Sequence, residues 1–174
     1  MGAKLPECQI VVCGTGGQGI LFLTRILDEA AIEAGQNVIS SETHGMAMRG
    51  GSVISCVRIG TFKSPLVRSG QADVLLVLAE SELSLNIHFA KKSGAQIYVN
   101  TASKGKSKIN ADAIAQRLGS IVLANLVLLG FAAAHPTFPI LKETFIRVLH
   151  RIGSPKLRES NIKAFNEGYA AFRS

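Results

Sequence analysis

Two glycine-rich stretches contain the residues whose types and spacing could do chemistry. In the first, Gly14-Thr15-Gly16-Gly17-Gln18-Gly19, three glycines match the pattern G-x-G-x-x-G. Glycines in this pattern let the backbone turn tightly and approach an anion at the first free amides of a helix. The stretch therefore predicts a phosphate site, and the alternative is that its glycines only allow a helix to pack closely on a sheet.

The second stretch, His44-Gly45-Met46-Ala47-Met48-Arg49-Gly50-Gly51, is a glycine-bounded loop with one arginine. A guanidinium suits phosphate oxygens, so Arg49, Gly50 and Gly51 could clamp the same anion, provided that both turns converge at one edge of a sheet. The alternative is that Arg49 pairs with a carboxylate of a partner chain. His44 is a candidate acid or base, because an unperturbed imidazole allows either state, and a structural hydrogen bond is its alternative role.

Hydrophobic patterning predicts the elements around the first stretch. Residues 9–13 form a short apolar run that ends in glycine, which is typical of a strand buried on both faces of a parallel sheet. Residues 17–34 carry apolar side chains at helical spacing up to a stop at Gly35, and residues 37–41 resemble a second strand. A strand, a helix and a strand in succession predict a right-handed crossover unit.

Glu42 raises the question of whether this unit binds a dinucleotide. A dinucleotide site needs an acidic residue about 20 residues after the glycines, at the end of the second strand, where it holds the ribose hydroxyls. Glu42 has that position, so a free-standing NAD- or FAD-binding oxidoreductase domain is one alternative function. The loop that follows counts against it, because a nucleotide-binding half would continue into a helix at that point.

The rest of the chain alternates between strand and helix patterns and then becomes helical. Strands are predicted at residues 52–59, 72–79 and 96–100. Helices are predicted at residues 80–92, 110–118, 123–134, 138–150 and 155–172. Residues 80–82 are expected to cap the first of these helices, and Asn110 the second. Asn125 stands alone in a very apolar helix and is predicted to satisfy a backbone group.

Composition indicates one globular domain. At 174 residues, 47% of them hydrophobic, the chain can bury roughly 70% of its unfolded surface. The net charge of +7 could attract an anionic partner, but the basic residues are scattered and Trp is absent, which argues against nucleic acid. Lys104, Lys106 and Lys108 lie in a polar connection that is expected to be a solvated loop, with a second anion contact as the alternative. No leader pattern is visible and the longest apolar run is too short to cross a bilayer, so we expect a cytoplasmic protein without a membrane partner.

The three cysteines predict no metal site. Cys8, Cys13 and Cys56 form no C-x-x-C pair and have no histidine spaced to share a metal with them. Cys13 and Cys56 lie inside apolar strands, where cysteine acts as a small hydrophobic residue. Iron-sulfur ligation within this chain is therefore not expected.

Four segments together carry a family resemblance. They are Gly14 to Gly19; Glu42-Thr43-His44-Gly45-Met46-Ala47-Met48-Arg49-Gly50-Gly51-Ser52-Val53; Ser64-Pro65-Leu66 with Ala72-Asp73-Val74; and Ala124-Asn125 with Leu129-Gly130 near Asn161-x-x-Ala164-Phe165-x-x-Gly168. Nearly end to end, the chain resembles the gamma-type subunits of 2-oxoacid:ferredoxin oxidoreductases, a group that includes pyruvate gamma and indolepyruvate beta subunits.

This resemblance implies a three-layer α/β/α fold with a mainly parallel, Rossmann-like sheet, a helical C-terminal part and one gamma-type domain over residues 1–174. It also implies one subunit of a complex that converts a 2-oxoacid and coenzyme A to an acyl-CoA and carbon dioxide, passing electrons to ferredoxin. Thiamine diphosphate, magnesium and iron-sulfur clusters are expected on partner subunits. The isolated chain is expected to be inactive, and it could form a homodimer.

For the site, the resemblance fits a contact between the two glycine turns and the phosphates of coenzyme A, or the mouth of a partner's active site. The residues expected to make it are Gly14, Thr15, Gly16, Gly17, Gln18, Gly19, Arg49, Gly50 and Gly51. The alternative is a purely structural interaction module, in which both turns only form subunit contacts.

Overall fold

The computed structural model describes residues 6–44 and 50–172, apart from the side chain of His44. The strands in these residues are β1 (Cys8–Thr15), β2 (Val38–His44), β3 (Ser52–Ile59), β4 (Val74–Val77), β5 (Gln96–Asn100) and β6 (Lys108–Ile109). The α-helices are α1 (Ile20–Glu33), α2 (Leu83–Asn86), α3 (Ala111–Arg117), α4 (Ala124–Ala133), α5 (Lys142–Arg151) and α6 (Pro155–Ala171). None of the helices in the described ranges is both long and apolar enough to span a bilayer.

The strands form one mixed sheet in the order β2-β3-β1-β4-β5-β6. Among the described strands, β3 alone runs against the others: it pairs antiparallel with β1 and β2, whereas the remaining neighbours pair in parallel. The predicted mainly parallel sheet is therefore confirmed. The predicted crossover unit differs in one respect, because β2 runs parallel to β1 but β3 lies between them.

Apolar clusters cover both faces of this sheet. Ile10 and Val12 of β1 belong to the larger cluster, together with side chains of α1, α3, α4, α5 and α6. Val11 and Cys13 belong to the smaller cluster, which residues around α2 and Val67 of the loop after β3 cover. Successive β1 side chains thus face opposite layers. The three-layer prediction is confirmed, with short helical turns and a loop as the thinner layer.

The segment after β4 departs from its predicted single helix. It contains α2 between two 3₁₀ turns, and the first turn begins after Ala79 without a side-chain cap. The predicted cap is therefore wrong, because both carboxylates bond to distant residues: Thr101 Oγ1 donates to Glu80, and Ser52 Oγ donates to Glu82. The acidic side chains at the start of the segment thus bond to residues outside it.

The other predicted caps and boundaries agree better. Asn110 Oδ1 accepts a hydrogen bond from Ala113 N at 3.0 Å, which confirms it as the cap of α3. α6 begins at Pro155, as predicted, and Ser154, which was not predicted as a cap, accepts a hydrogen bond from Lys156 N. In contrast, α5 begins later than the predicted residue 138, and the short strand β6 was not predicted within the polar connection.

The α4–α6 crossing depends on two glycines. Every residue of α4 is buried, so its neighbours surround it. A Cβ on Gly130 would lie 2.0 Å from the carbonyl oxygen of Phe165, and one on Gly168 would lie 1.9 Å from that of Val127. These distances are far below van der Waals contact, so the two helices approach this closely only because both residues lack a side chain.

Candidate functional site

The first glycine stretch forms the turn between β1 and α1. Gly19 is the N-cap of α1 at φ 74°, and Gly17 has φ 98°; both values lie in the left-handed region that glycine adopts without strain. Gly16 and Gly17 are exposed, whereas Gly14 is buried. The turn therefore presents its middle to solvent and its first glycine to the core.

Gln18 closes this turn from within. Its Oε1 accepts a hydrogen bond from Thr15 N at 2.8 Å, and its Nε2 donates to the carbonyl oxygen of Leu78 at 3.0 Å. Gly14 leaves room for this side chain, because a Cβ there would lie 2.6 Å from Gln18 Oε1 and 2.9 Å from Leu78 Cβ. The side chain of Gln18 is thus used by the fold.

Asn125 holds the start of α1 in the same way. Its Nδ2 donates to the carbonyl oxygen of Gly19 at 3.2 Å, and its Oδ1 accepts from Leu126 N at 2.7 Å. The prediction that Asn125 satisfies a backbone group is confirmed. A Cβ on Gly19 would lie 2.5 Å from Asn125 Nδ2, so this glycine also provides the space for the contact.

The second glycine turn lies directly against the first. Gly16 N donates to the carbonyl oxygen of Gly51 at 2.9 Å. The expected convergence of the turns is confirmed for these glycines. Arg49, Met46 and Met48 lie outside the described residues, so the role of Arg49 stays a prediction. The backbone of His44 ends β2 opposite Val53, and its side chain is outside what the structure describes.

The hydrogen-bond donors of the first turn are already partly used. The amides of Thr15, Gly16 and Gln18 donate to Gln18 Oε1, Gly51 O and Thr15 O, respectively. The first intrahelical bond of α1 runs from Leu23 N to Gly19 O, so the amides just before Leu23 have no partner within the helix. The donors suited to an anion are therefore those of the first turn of α1.

A cavity of about 400 Å³ lies over these donors. Its walls come from the glycine turn, the first residues of α1, and Val53 of β3. The N-terminal end of a helix carries a partial positive charge, which favours an anion in this cavity. Leu21, on the first turn of α1, is 44% exposed and gives the opening an apolar rim.

A buried carboxylate beside the second turn was not predicted from the sequence. Glu82 is 6% exposed, and its Oε2 accepts from Ser52 Oγ at 2.6 Å and from Asn86 Nδ2 at 3.2 Å. Burial raises the pKa of the Cys13 thiol to about 12, and the charge of Glu82 adds to the shift. Cys13 is therefore a neutral core residue. The signal in the sequence was the acidic pair after β4, which was assigned to a helix cap.

Glu42 lies away from the glycine turn. It pairs with Ser55 of β3, and Ser55 in turn pairs with Val12 of β1. Two strand spacings, roughly 9.5 Å, thus separate Glu42 from the strand that leads into the turn. A dinucleotide fold places the acidic strand next to the glycine turn, so this geometry counts against an NAD or FAD site.

The described cysteines are free and buried: Cys8, Cys13 and Cys56. Within residues 6–44 and 50–172, no group of three or more His, Cys, Asp or Glu side chains could hold a metal ion. Burial also raises the pKa of the Cys8 thiol to about 12. A neutral buried thiol is a poor nucleophile.

Comparison with known proteins gives consistent matches over most of the chain. A family model described as pyruvate ferredoxin/flavodoxin oxidoreductase matches residues 9–171. The indolepyruvate oxidoreductase subunit IorB of Methanothermobacter thermautotrophicus is 35% identical in an alignment of 188 positions, gaps included, that covers 93% of this chain and 96% of the relative. The IorB subunit of Archaeoglobus fulgidus is 33% identical, with 92% of each chain covered.

Solved structures agree with these matches. The gamma subunit of keto/oxoacid ferredoxin oxidoreductase from Geobacter sulfurreducens has a TM-score of 0.75 and 27% identity, covering 95% of this chain and 98% of the other. The pyruvate oxidoreductase subunit PORC of Thermotoga maritima has a TM-score of 0.77 over 94% and 96% of the two chains, and at 23% identity it supports the fold alone.

Proposed function

Because this chain belongs to the pyruvate ferredoxin/flavodoxin oxidoreductase family, we propose that it is the gamma-type subunit of a 2-oxoacid:ferredoxin oxidoreductase. The complex converts a 2-oxoacid and coenzyme A to an acyl-CoA and carbon dioxide and passes electrons to ferredoxin. The observation that carries this proposal is the 35% identity to an indolepyruvate oxidoreductase subunit across 93% of this chain. Residues 1–174 form a single gamma-type domain in this proposal, and the complex works in the cytoplasm.

The cofactors of the reaction belong to partner subunits in this proposal. Thiamine diphosphate with magnesium supplies the chemistry at the 2-oxoacid, and iron-sulfur clusters carry electrons to ferredoxin. The spacing of Cys8, Cys13 and Cys56 supports this division, since these residues form no C-x-x-C pair of the kind that holds a cluster. The task of this chain is then to complete the complex and to shape the space next to the active site.

The two glycine turns are the surface for that task. We place the phosphates of coenzyme A, or the mouth of the partner's active site, in the cavity over the first turn of α1. The unpaired amides before Leu23 donate to phosphate oxygens there. Arg49, five residues after His44 at the end of β2, adds the charge of a guanidinium from the second turn.

The second candidate is a purely structural module, and one observation favours it. The amides of Thr15, Gly16 and Gln18 are already bonded within the chain, so these residues build the turn instead of meeting a ligand. In this alternative the exposed Leu21 and the glycine turns pack against a partner subunit. Arg49 then pairs with a partner carboxylate.

Reconstitution of the complex with Arg49→Ala separates the two candidates. If Arg49 contacts coenzyme A, the KM for coenzyme A rises about tenfold, equivalent to about 1.4 kcal/mol, while kcat and subunit assembly are retained. Arg68→Ala is the matched control, because Arg68 is exposed in the loop before β4, at the edge of the sheet opposite to the glycine turn. An unchanged KM together with weaker assembly would contradict the coenzyme A contact and support the structural module.

A further inference from the structure

A second cavity lies beside the glycine turn, where the N-terminal ends of three helices meet. Its volume is about 420 Å³, and we call it the three-helix cavity. The walls are largely apolar side chains: Phe22, Leu118, Val122, Leu123, Leu126 and Leu157. It is bounded entirely by described residues, and it shares only its edge at Gly19 and Phe22 with the cavity over α1.

Three helices present the same end to this cavity. In each of α1, α4 and α6, the N-cap residue and the third helical residue both belong to the lining. The N-terminal end of a helix carries about half a positive charge, and the effect is strongest within the first turn. Three such ends around one space favour a negatively charged group inside it, even where caps already satisfy some of the amides.

Asn161 of α6 gives the cavity a polar group without a protein partner. The residue is 6% exposed and lines the cavity, yet its side-chain amide makes no hydrogen bond to any residue in the described ranges. Half-buried Ser160 lines the same wall, and its hydroxyl also lacks a bond to the described residues. Asn125 differs, because Gly19 and Leu126 satisfy its amide. Buried polar groups are normally hydrogen-bonded, so the amide of Asn161 is available to bond a group inside the cavity.

The charge balance of the lining limits what that ligand can be. None of the described residues that line the cavity is charged. Helix ends alone can compensate one negative charge, whereas a phosphate with two charges is normally met by Arg or Lys. The apolar walls require that the rest of the ligand be apolar.

We propose that the three-helix cavity binds a small monocarboxylate with an apolar or aromatic body. The carboxylate accepts hydrogen bonds from Asn161 Nδ2 and the hydroxyl of Ser160, near the three helix ends. The body lies against the leucine side chains and Phe22. This site takes a different ligand from the phosphate contact proposed above and does not depend on Arg49.

The test compares two probes that share one body. We would titrate 3-phenylpropionate and the uncharged 3-phenylpropan-1-ol into the full chain and measure affinity by calorimetry and backbone amide NMR. The carboxylate should bind at least tenfold more tightly than the alcohol. Asn161→Leu should lower carboxylate affinity at least tenfold, whereas Asn166→Leu, the same change on the same helix outside the cavity, should not.

Two results would overturn the proposal. Equal affinities for the acid and the alcohol would remove the role of charge, and full carboxylate affinity in a folded Asn161→Leu variant would remove the site. If Asn161→Leu does not fold, Ser160→Phe takes its place, since an aromatic ring at this half-buried position fills the cavity. Ser160→Phe should abolish binding, and retained binding would again reject the site. Neither result would count for or against the proposed coenzyme A contact, which the Arg49→Ala experiment tests separately.

Discussion

The chain uses glycine in two regions for different physical reasons. At the α4–α6 crossing, a Cβ on Gly130 or Gly168 would lie 2.0 or 1.9 Å, respectively, from a backbone oxygen of the other helix. At the β1–α1 turn, a Cβ on Gly16 would lie 3.4 Å from its nearest neighbour, and one on Gly17 would meet nothing within 4 Å. The first region is buried and has no space, whereas the middle of the second is exposed and open.

This difference separates residues that build the fold from residues that are free to meet a ligand or partner. Both sets of glycines belong to the segments that carry the family resemblance, so the resemblance alone gives them equal weight. The packing distances, in contrast, distinguish the two sets. We therefore expect changes at the helix crossing to act on stability, and changes at the open part of the turn to act on assembly or on coenzyme A.

The largest effect is expected for Gly168→Ala. Its methyl group would overlap the backbone of α4, which no change of rotamer can relieve, so α4 and α6 must separate. Inserting an atom into a packed core costs typically 1–3 kcal/mol and more where backbone must move, and we expect about 3 kcal/mol or more here. Equilibrium urea denaturation of the isolated chain measures the loss of unfolding free energy.

A change on the outer side of the same helix provides the control. Ala170 is exposed on α6, and Ala170→Ser adds one atom where there is solvent. Its effect on the free energy of unfolding should stay within about 0.5 kcal/mol. If Gly168→Ala were as mild as this control, the contrast between a closed and an open glycine region would be wrong.

A smaller effect is expected within the turn itself, where Gly14 and Gly16 should differ. A methyl group on Gly14 would push Gln18 away from Thr15 N, so Gly14→Ala should lose about 2 kcal/mol from a broken hydrogen bond and local overpacking. Gly16 has no positive φ and its nearest neighbour is at 3.4 Å, so Gly16→Ala should lose less than about 1 kcal/mol. Urea denaturation of both variants makes the comparison.

In the reconstituted complex, we expect the opposite order: relative to the stability that each variant loses, Gly16→Ala should change assembly or the KM for coenzyme A more than Gly14→Ala does. Gly16 is exposed beside the cavity over α1, so its methyl group changes the surface that meets coenzyme A or a partner. A Gly16→Ala complex with unaltered KM for coenzyme A and unaltered assembly would show that the open glycines have no role beyond the turn.

Local signals made part of the fold predictable. Helix α6 could be placed because Pro155 marks its start, and α3 because Asn110 caps it. β5 was bounded correctly by its apolar run between polar residues. In each case the side chains that define the element lie within it or next to it, so the sequence around the element contains the whole signal.

The rest depended on contacts that a local pattern does not contain. β3 lies between β1 and β2 in the sheet. The alternating pattern of a strand does not reveal which strand it pairs with, so this position could not be predicted from the sequence. The segment after β4, expected to be one helix, contains α2 between two 3₁₀ turns, and its Glu82 bonds to Ser52, a residue 30 positions away. In the site, the glycine turns could be predicted from the sequence. The burial of Glu82 beside the second turn and the position of the Asn161 amide in the three-helix cavity depend on tertiary packing, which the sequence pattern does not show.

The smallest quantity that we expect to measure is a coupling energy between Ser52 and Glu82, and Ser52→Ala tests whether their bond holds the second glycine turn in place. Ser52 starts β3 directly after Gly51, and its hydroxyl donates to the buried carboxylate of Glu82. Loss of this bond should lower the free energy of unfolding by about 1 kcal/mol, since Glu82 keeps Asn86 as a donor. A double-mutant cycle with Glu82→Gln should give a coupling of about 0.5 kcal/mol or more, whereas Ser103→Ala, at an exposed site, should show none. Zero coupling would mean that the Ser52–Glu82 bond does not hold the second turn, which would then depend on the bond from Gly16 to Gly51 and on the pairing of β3 with β1.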